Sequence, residues 1–265
     1  MEILGYILAA LVGMSLALIG SGGSILTVPI LVYVMGVNPV LSTAYSLFIV
    51  GSTALAGGVQ CALQRTVNFK IFLIFGIPSI IAVYVTRLWL MPLIPAVVFE
   101  SGSLVLTKDI AIMIFFSLFM LLASYSMIRN GKNVQLDTEG IKKINYPIVL
   151  TEGLIVGVIT GIVGAGGGFL IIPALVLFAK IPMKLAVGTS LFIIAAKSLI
   201  GFIGDLQSDQ FIDWPLLLAF TFSAIVGIFI GNYFSRFVTG KKLQKSFGWF
   251  ILIMGTYIIF RELFL

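Results

Sequence analysis

The sequence predicts an all-α polytopic membrane protein made of two inverted-topology repeats, each a glycine-broken helical hairpin followed by three transmembrane helices. Three observations carry this expectation. Of the 265 residues, 60% are hydrophobic and 10% are charged, whereas soluble domains carry roughly 25% charged residues. An oily but glycine-rich phrase occurs twice, as "ALIGSGGSILTVP" at 17–29 and "GIVGAGGGFLIIP" at 161–173. The charges between apolar blocks place equivalent loops on opposite faces of a bilayer.

Continuous apolar blocks fall near 3–20, 24–36, 39–63, 69–91, 109–128, 146–164, 168–180, 183–204, 211–236 and 246–264. Most reach the roughly 17–25 residues that span a bilayer as a helix. The blocks at 24–36 and 168–180 do not, covering only about 20 Å each as a helix, so they read as the short second arms of hairpins. A β-barrel would alternate apolar and polar residues, and these blocks are unbroken. The first block opens "MEILGYILAAL", with Glu2, no basic segment and no clear cleavage site, so it is expected to belong to the fold rather than to a secretory signal.

Shifting the chain by 144 positions aligns 20–61 with 164–205 without a gap. Gly20 meets Gly164, Gly22 meets Gly166, Gly23 meets Gly167, Pro29 meets Pro173, and "SLFI" at 46–49 recurs intact at 190–193. The expected division is a first membrane repeat at 1–128, a linker at 129–145 and a second membrane repeat at 146–265.

Basic loops face the cytoplasm. The linker carries Arg129, Lys132, Lys142 and Lys143, and the loop near 236–245 carries Arg236, Lys241, Lys242 and Lys245. Both are therefore inside. The loop at 205–213 has Asp205, Asp209 and Asp213 without a base, so it is outside; its counterpart at 61–70 has Arg65 and Lys70 without an acid. Equivalent loops on opposite faces define an inverted repeat, an architecture of secondary transporters. Multi-pass insertion in the cell membrane, with both termini outside, follows.

Irregular backbone at membrane depth is tolerated where protein or a water-filled cavity surrounds it. Glycine reaches positive φ that other residues resist. A short helix is expected to begin after each break, near Ser24 and Gly168, with Pro29 and Pro173 close behind. A helix start offers free N–H donors and a positive dipole end, which suits an anion. The alternative is that the glycines only allow helices to pack closely.

The paired "GxGGxxLxxPxL" phrases at 20–31 and 164–175, the "GTSLF" at 188–192, and the two-half layout resemble the sulfite exporter TauE/SafE family of membrane permeases. The resemblance covers essentially the whole chain and implies transport of sulfur-containing anions such as sulfite, sulfoacetate or thiosulfate. The first half departs from it with "AYSLF" at 44–48 where the second has "GTSLF".

The expected substrate-binding set is Gly22, Gly23, Ser24, Ser46, Gly166, Gly167, Gly168, Ser190 and Lys197. Lys197 lies well inside a span, where a charge marks a pathway or finds a partner; snorkelling along its own stem is the other reading. Ser46 and Ser190 occupy matching repeat positions, and their alternative is a hydrogen bond back to their own helix. Arg87 and Trp89 read as an anchor at the outer face. Gln60, Gln64 and Arg65 cluster at the inner end of the 39–63 span and read as interfacial anchors, the alternative being a vestibule that collects anions; Glu152 reads as an interfacial carboxylate, the alternative being a proton acceptor for coupling.

A single cysteine, Cys61, and no histidine exclude an internal disulfide, Cys/His metal sites and histidine-based catalysis. No G-x-x-x-x-G-K-[ST] phosphate loop is present. The net charge of +6 sits largely in loops and needs no nucleic acid to explain it. The expectation is therefore a transporter, not an enzyme, without a cofactor. It would move a small inorganic or organic sulfur anion across the bilayer by alternating access, with protons as a candidate coupling ion. A passive anion channel of the same fold is the alternative.

Overall fold

Apolar runs long enough to close their backbone hydrogen bonds internally become helices, and local capping chemistry sets their ends. The computed structural model describes residues 2–19, 21–101, 104–129, 146–164, 166–177, 181–207, 212–234 and 240–264. Helix α1 (Glu2–Ile19) runs into a 3-10 turn at Ser21–Leu26 and then α2 (Thr27–Tyr33). Gly36, at φ 71, ends this arm, and Val37 N–H reaches back to Leu31 O at 2.9 Å. A Cβ placed on Gly5 would strike the Met35 thioether, so the chain has folded back along α1.

Asn38 caps α3 (Pro39–Leu63) by accepting from Val40 and Leu41 N–H, with Pro39 in the first turn, where its missing N–H costs nothing. Asn68 does the same for α4 (Phe69–Val85), accepting from Ile71 N–H. A π-helical turn, Thr86–Leu90, and the short α5 (Met91–Leu93) extend α4. Strands β1 (Val97–Ser101) and β2 (Leu104–Thr107) then pair antiparallel ahead of α6 (Lys108–Arg129). The second half contains α7 (Tyr146–Val163), α8 (Gly168–Leu177), α9 (Met183–Leu206), α10 (Trp214–Phe234) and α11 (Gly240–Phe264). Except for Arg129, the expected linker lies outside the described residues, as do Asp209 and Arg236.

Five described helices are long and apolar enough to cross a membrane: Pro39–Leu63, Phe69–Leu93, Lys108–Tyr125, Leu185–Leu206 and Trp214–Phe234. Large apolar side chains such as Leu73, Leu118, Ile203 and Phe222 cover their outer faces. This is a multi-pass membrane protein of helices, with the small β1–β2 hairpin as an addition that the apolar blocks did not anticipate.

The packing joins the two halves throughout. Helices α3 and α9 run antiparallel: Gly51 lies against Leu199, and Gly58 against Phe192. Helices α1 and α10 run parallel, Gly227 meeting Ala10 and Gly231 meeting Met14. Helices α4 and α7 also run parallel, with Gly153, Gly157 and Gly161 laid on Phe75, Ser79 and Thr86. Helices α6 and α11 complete the pairing. Glycines spaced by four let backbones approach closely, which is how membrane helices associate. A Cβ on Gly157 would sit 2.6 Å from both Ser79 O and Ala82 Cβ. Gly157→Val is therefore expected to destabilise the fold by at least about 2 kcal/mol, read as a lower melting temperature of the detergent-solubilised protein. An unchanged melting temperature would mean α4 and α7 do not meet on this face.

Candidate functional site

The glycines of the second phrase separate into two physical roles. Gly161, on α7, packs that helix against α4; the glycines between α7 and α8 bend the chain. Gly164, Gly166 and Gly167 have φ of 72, 63 and 62°, a left-handed conformation that costs an L-residue roughly 1–2 kcal/mol. Gly164 N–H still donates to Thr160 O at 2.9 Å, and Leu170 and Ile171 N–H donate to Gly167 O. One irregular turn thus ends α7 and starts α8.

The break lies against the midsections of α3 and α9. Cβ atoms placed on Gly164, Gly166 and Gly167 would meet Thr43, Val50 and Thr160 at 2.4, 2.6 and 1.6 Å. The Gly166 position is also 3.4 Å from Ser198 Oγ, and the Gly167 position 3.0 Å from Lys197 Nζ. No side chain larger than hydrogen fits there, so the backbone of the break packs directly on α3, α7 and α9.

Lys197 is 0% exposed. Its ammonium donates to Thr160 Oγ1 at 3.0 Å, and Thr160 Oγ1 donates onward to Gly157 O. Lys197 therefore turns inward to the break instead of snorkelling. Among the described residues no carboxylate is within ion-pair distance of it. Next to it on α9, Ser198 Oγ is fully buried and has no hydrogen-bond partner. A buried ammonium, an unspent hydroxyl and a positive-φ backbone turn thus converge at mid-span.

The first phrase behaves differently. Gly22, Gly23 and Ser24 lie within the 3-10 turn, and α2 begins at Thr27 instead of near Ser24. Ser24 is fully buried. The turn does pack against α8, so the two phrases adjoin each other. Of the expected set, Gly166, Gly167, Gly168 and Lys197 share one locality, with Gly22, Gly23 and Ser24 on the element beside it.

Ser46 and Ser190 are not brought together. The antiparallel crossing puts Ser190 opposite the Gln60 end of α3, about 14 residues or ~21 Å of helix from Ser46. Ser190 Oγ donates to Val187 O at 2.8 Å, the back-bond to its own helix. Ser46 Oγ is buried without a partner and lies one turn from Thr43.

Arg87 departs from its expected place. It is 2% exposed while Trp89 is 67% exposed, so only the tryptophan faces outward as an anchor does. Gln60 Oε1 accepts from Asn232 Nδ2, and Arg65 is exposed at φ 55 in the turn after α3. Glu152 is half-buried on α7, with no hydrogen bond at Oε2. The described residues hold no cluster of potential metal ligands.

Comparison with known proteins adds a second line of evidence. A family model described as Sulfite exporter TauE/SafE matches residues 6–258. A "Probable membrane transporter protein" of Xylella fastidiosa (strain 9a5c) is 28% identical over 257 residues, covering 95% of this chain and 92% of that one. "Probable membrane transporter protein YunE" of Bacillus subtilis (strain 168) is 27% identical over 284 residues, covering 97% of both chains. A similarly described protein of Methanocaldococcus jannaschii is 24% identical over 96% of this chain and 93% of its own length. No solved structure matches.

Proposed function

The chain belongs to the sulfite exporter TauE/SafE family, and from that premise we propose a secondary transporter that carries a small sulfur-containing anion by alternating access. It is a membrane transporter and not an enzyme; the cargo and mechanism are our reading. Sulfite, thiosulfate and simple organosulfonates are the candidate substrates. The observation that carries the reading is the fully buried Lys197 ammonium, without a carboxylate partner among the described residues, set against the backbone of the glycine break. A cation in that position rewards an anion and repels a cation.

The fold proposed around this site is a pair of inverted repeats, each a broken hairpin plus three helices. Exchanging the halves turns the α1–α10 contact into α7–α4, and α3–α10 into α9–α4, and both members of each exchange are present. Equivalent helices α3 and α9 run antiparallel, as inversion requires and as parallel repeats would not give. The α3–α9 register of Gly51 with Leu199 and Gly58 with Phe192 sets Lys197 level with Thr53, its repeat partner in this reading, which would put the pseudo-twofold axis near the ammonium. A site on that axis is reachable equally from either face, which suits alternating access. In this reading the Arg65 end of α3 is cytoplasmic, the Asp205 end of α9 is outside, and both termini are outside.

Purified protein in proteoliposomes is expected to take up radiolabelled thiosulfate or sulfite saturably, with counterflow from a preloaded lumen and a response to membrane potential or a proton gradient. Ohmic current without saturation would replace the carrier with a passive channel. Transport of none of the sulfur anions would remove the substrate assignment.

A further inference from the structure

Arg87 sits on the π-helical turn Thr86–Leu90 that interrupts the end of α4, and such turns recur at functional sites. The guanidinium uses only one of its nitrogens. Nη1 donates to Thr43 Oγ1 at 2.9 Å and, at long range, to Asp205 Oδ1 at 3.5 Å, with Oδ2 at 3.4 Å. Nε and Nη2 have no hydrogen-bond partner, so three N–H donors are unspent on a side chain that is 98% buried. A strap between helices would be expected to use the planar fork in bidentate fashion; this contact is one-sided and long.

The surroundings connect Arg87 to the transport path. Thr43, its acceptor, is the residue against which Gly164 packs. Gly161 lies against Thr86, and Gly204 against the Arg87 stem. The guanidinium thus stands where the break, α3 and the end of α9 meet. From Lys197 to Asp205 is eight residues of α9, about 12 Å along its axis, too far for one small oxyanion to touch both cations.

At the other end of the crossing, the corresponding helices meet through a neutral pair, Asn232 with Gln60. Two amides suffice for the hydrogen bond between helices there, and the charge at Arg87 invites a separate explanation.

Building on the anion-transport reading above, we propose that Arg87 forms a second anion station, distinct from Lys197, in which it trades its contact with Asp205 for the oxygens of an oxyanion passing between the Asp205 end of α9 and the glycine break. Asp205 holds the guanidinium while the station is empty and competes with the arriving anion.

The two partners of a structural ion pair give effects of the same sign when removed; a station and its competitor give opposite signs. With thiosulfate and sulfite as probes in proteoliposomes, Asp205→Asn is expected to lower KM severalfold and slow turnover, because the freed arginine retains the anion. Arg87→Gln alone removes the cation beside the half-buried Asp205 carboxylate and is expected to fold poorly. The double variant, Arg87→Gln with Asp205→Asn, reproduces a neutral amide pair like that of Gln60 and Asn232 and is expected to fold. Its KM should rise about tenfold, the scale of one charge-assisted contact. A folded double variant with wild-type KM would overturn the station while leaving the Lys197 site intact. An Asp205→Asn variant whose KM is unchanged or raised would also overturn it. Failure of wild-type protein to transport either probe would overturn both readings.

Discussion

Lys197→Met is expected to reduce anion binding and uptake roughly 10–100-fold while leaving the melting temperature unchanged or higher. Hydrogen bonds to charged groups contribute about 1.5–3 kcal/mol, and each 1.4 kcal/mol is about tenfold in affinity. Methionine preserves the unbranched stem and most of the volume, so the packing around α9 survives. Thr160 Oγ1 keeps its bond to Gly157 O and is not orphaned. Replacing a buried charge by an apolar side chain of similar size is often neutral or stabilising. The two readouts should therefore move apart: function falls and stability does not. Uptake assays and thermal melts on the same preparation check this. Wild-type uptake by Lys197→Met would reduce Lys197 to a buried lysine held by Thr160, and the site would lose its charge.

Much of this arrangement was legible because a bilayer imposes hard constraints. Helices such as Pro39–Leu63 and Trp214–Phe234 must be long and apolar, so their blocks show directly in the sequence. The break at Gly164–Gly167 showed because glycine clusters inside oily runs are otherwise disfavoured. What did not show was which glycines bend and which pack. Gly161 and Gly164 sit three residues apart in one oily phrase, and only the contact of Gly161 with α4 and the positive φ of Gly164 distinguish them.

The serines failed to converge for a geometric reason. Where two helices cross antiparallel, as α3 and α9 do, residues matched in sequence come opposite each other only near the middle of the crossing. Matched residues far from it, such as Ser46 and Ser190, are carried to opposite ends. Matching in the sequence therefore does not by itself bring two residues to one substrate. Arg87 was hidden by Trp89. Residues two apart on a helix point to nearly opposite faces, so an outward tryptophan implies an inward arginine, a signal that reading the two as one anchor obscured. The β1–β2 hairpin was missed because its strands, Val97–Ser101 and Leu104–Thr107, are too short to set a pattern against the surrounding apolar runs.

Gly167→Ala is expected to be the most damaging single-methyl change in the protein. The new Cβ would lie 1.6 Å from Thr160 Cγ2 and 2.7 Å from Thr160 Cβ, far inside contact distance. Left-handed backbone at φ 62 adds about 1–2 kcal/mol for alanine, and overpacking adds about 1–3 kcal/mol. Thr160 must then move, and it carries the acceptor for Lys197, so uptake and stability should fall together. Two further variants separate strain from crowding. Gly36→Ala shares the positive φ but meets nothing within 4 Å, so it should cost only about 1–2 kcal/mol and leave uptake intact. Thr160→Ser removes the offending methyl and keeps the hydroxyl, so adding it to Gly167→Ala should restore part of both readouts, a coupling expected only of residues in contact. If Gly167→Ala instead behaves like Gly36→Ala, the break does not press against Thr160 and Lys197. The ammonium would then have no backbone wall to face, and the anion site would have to be sought elsewhere along the α3–α9 crossing.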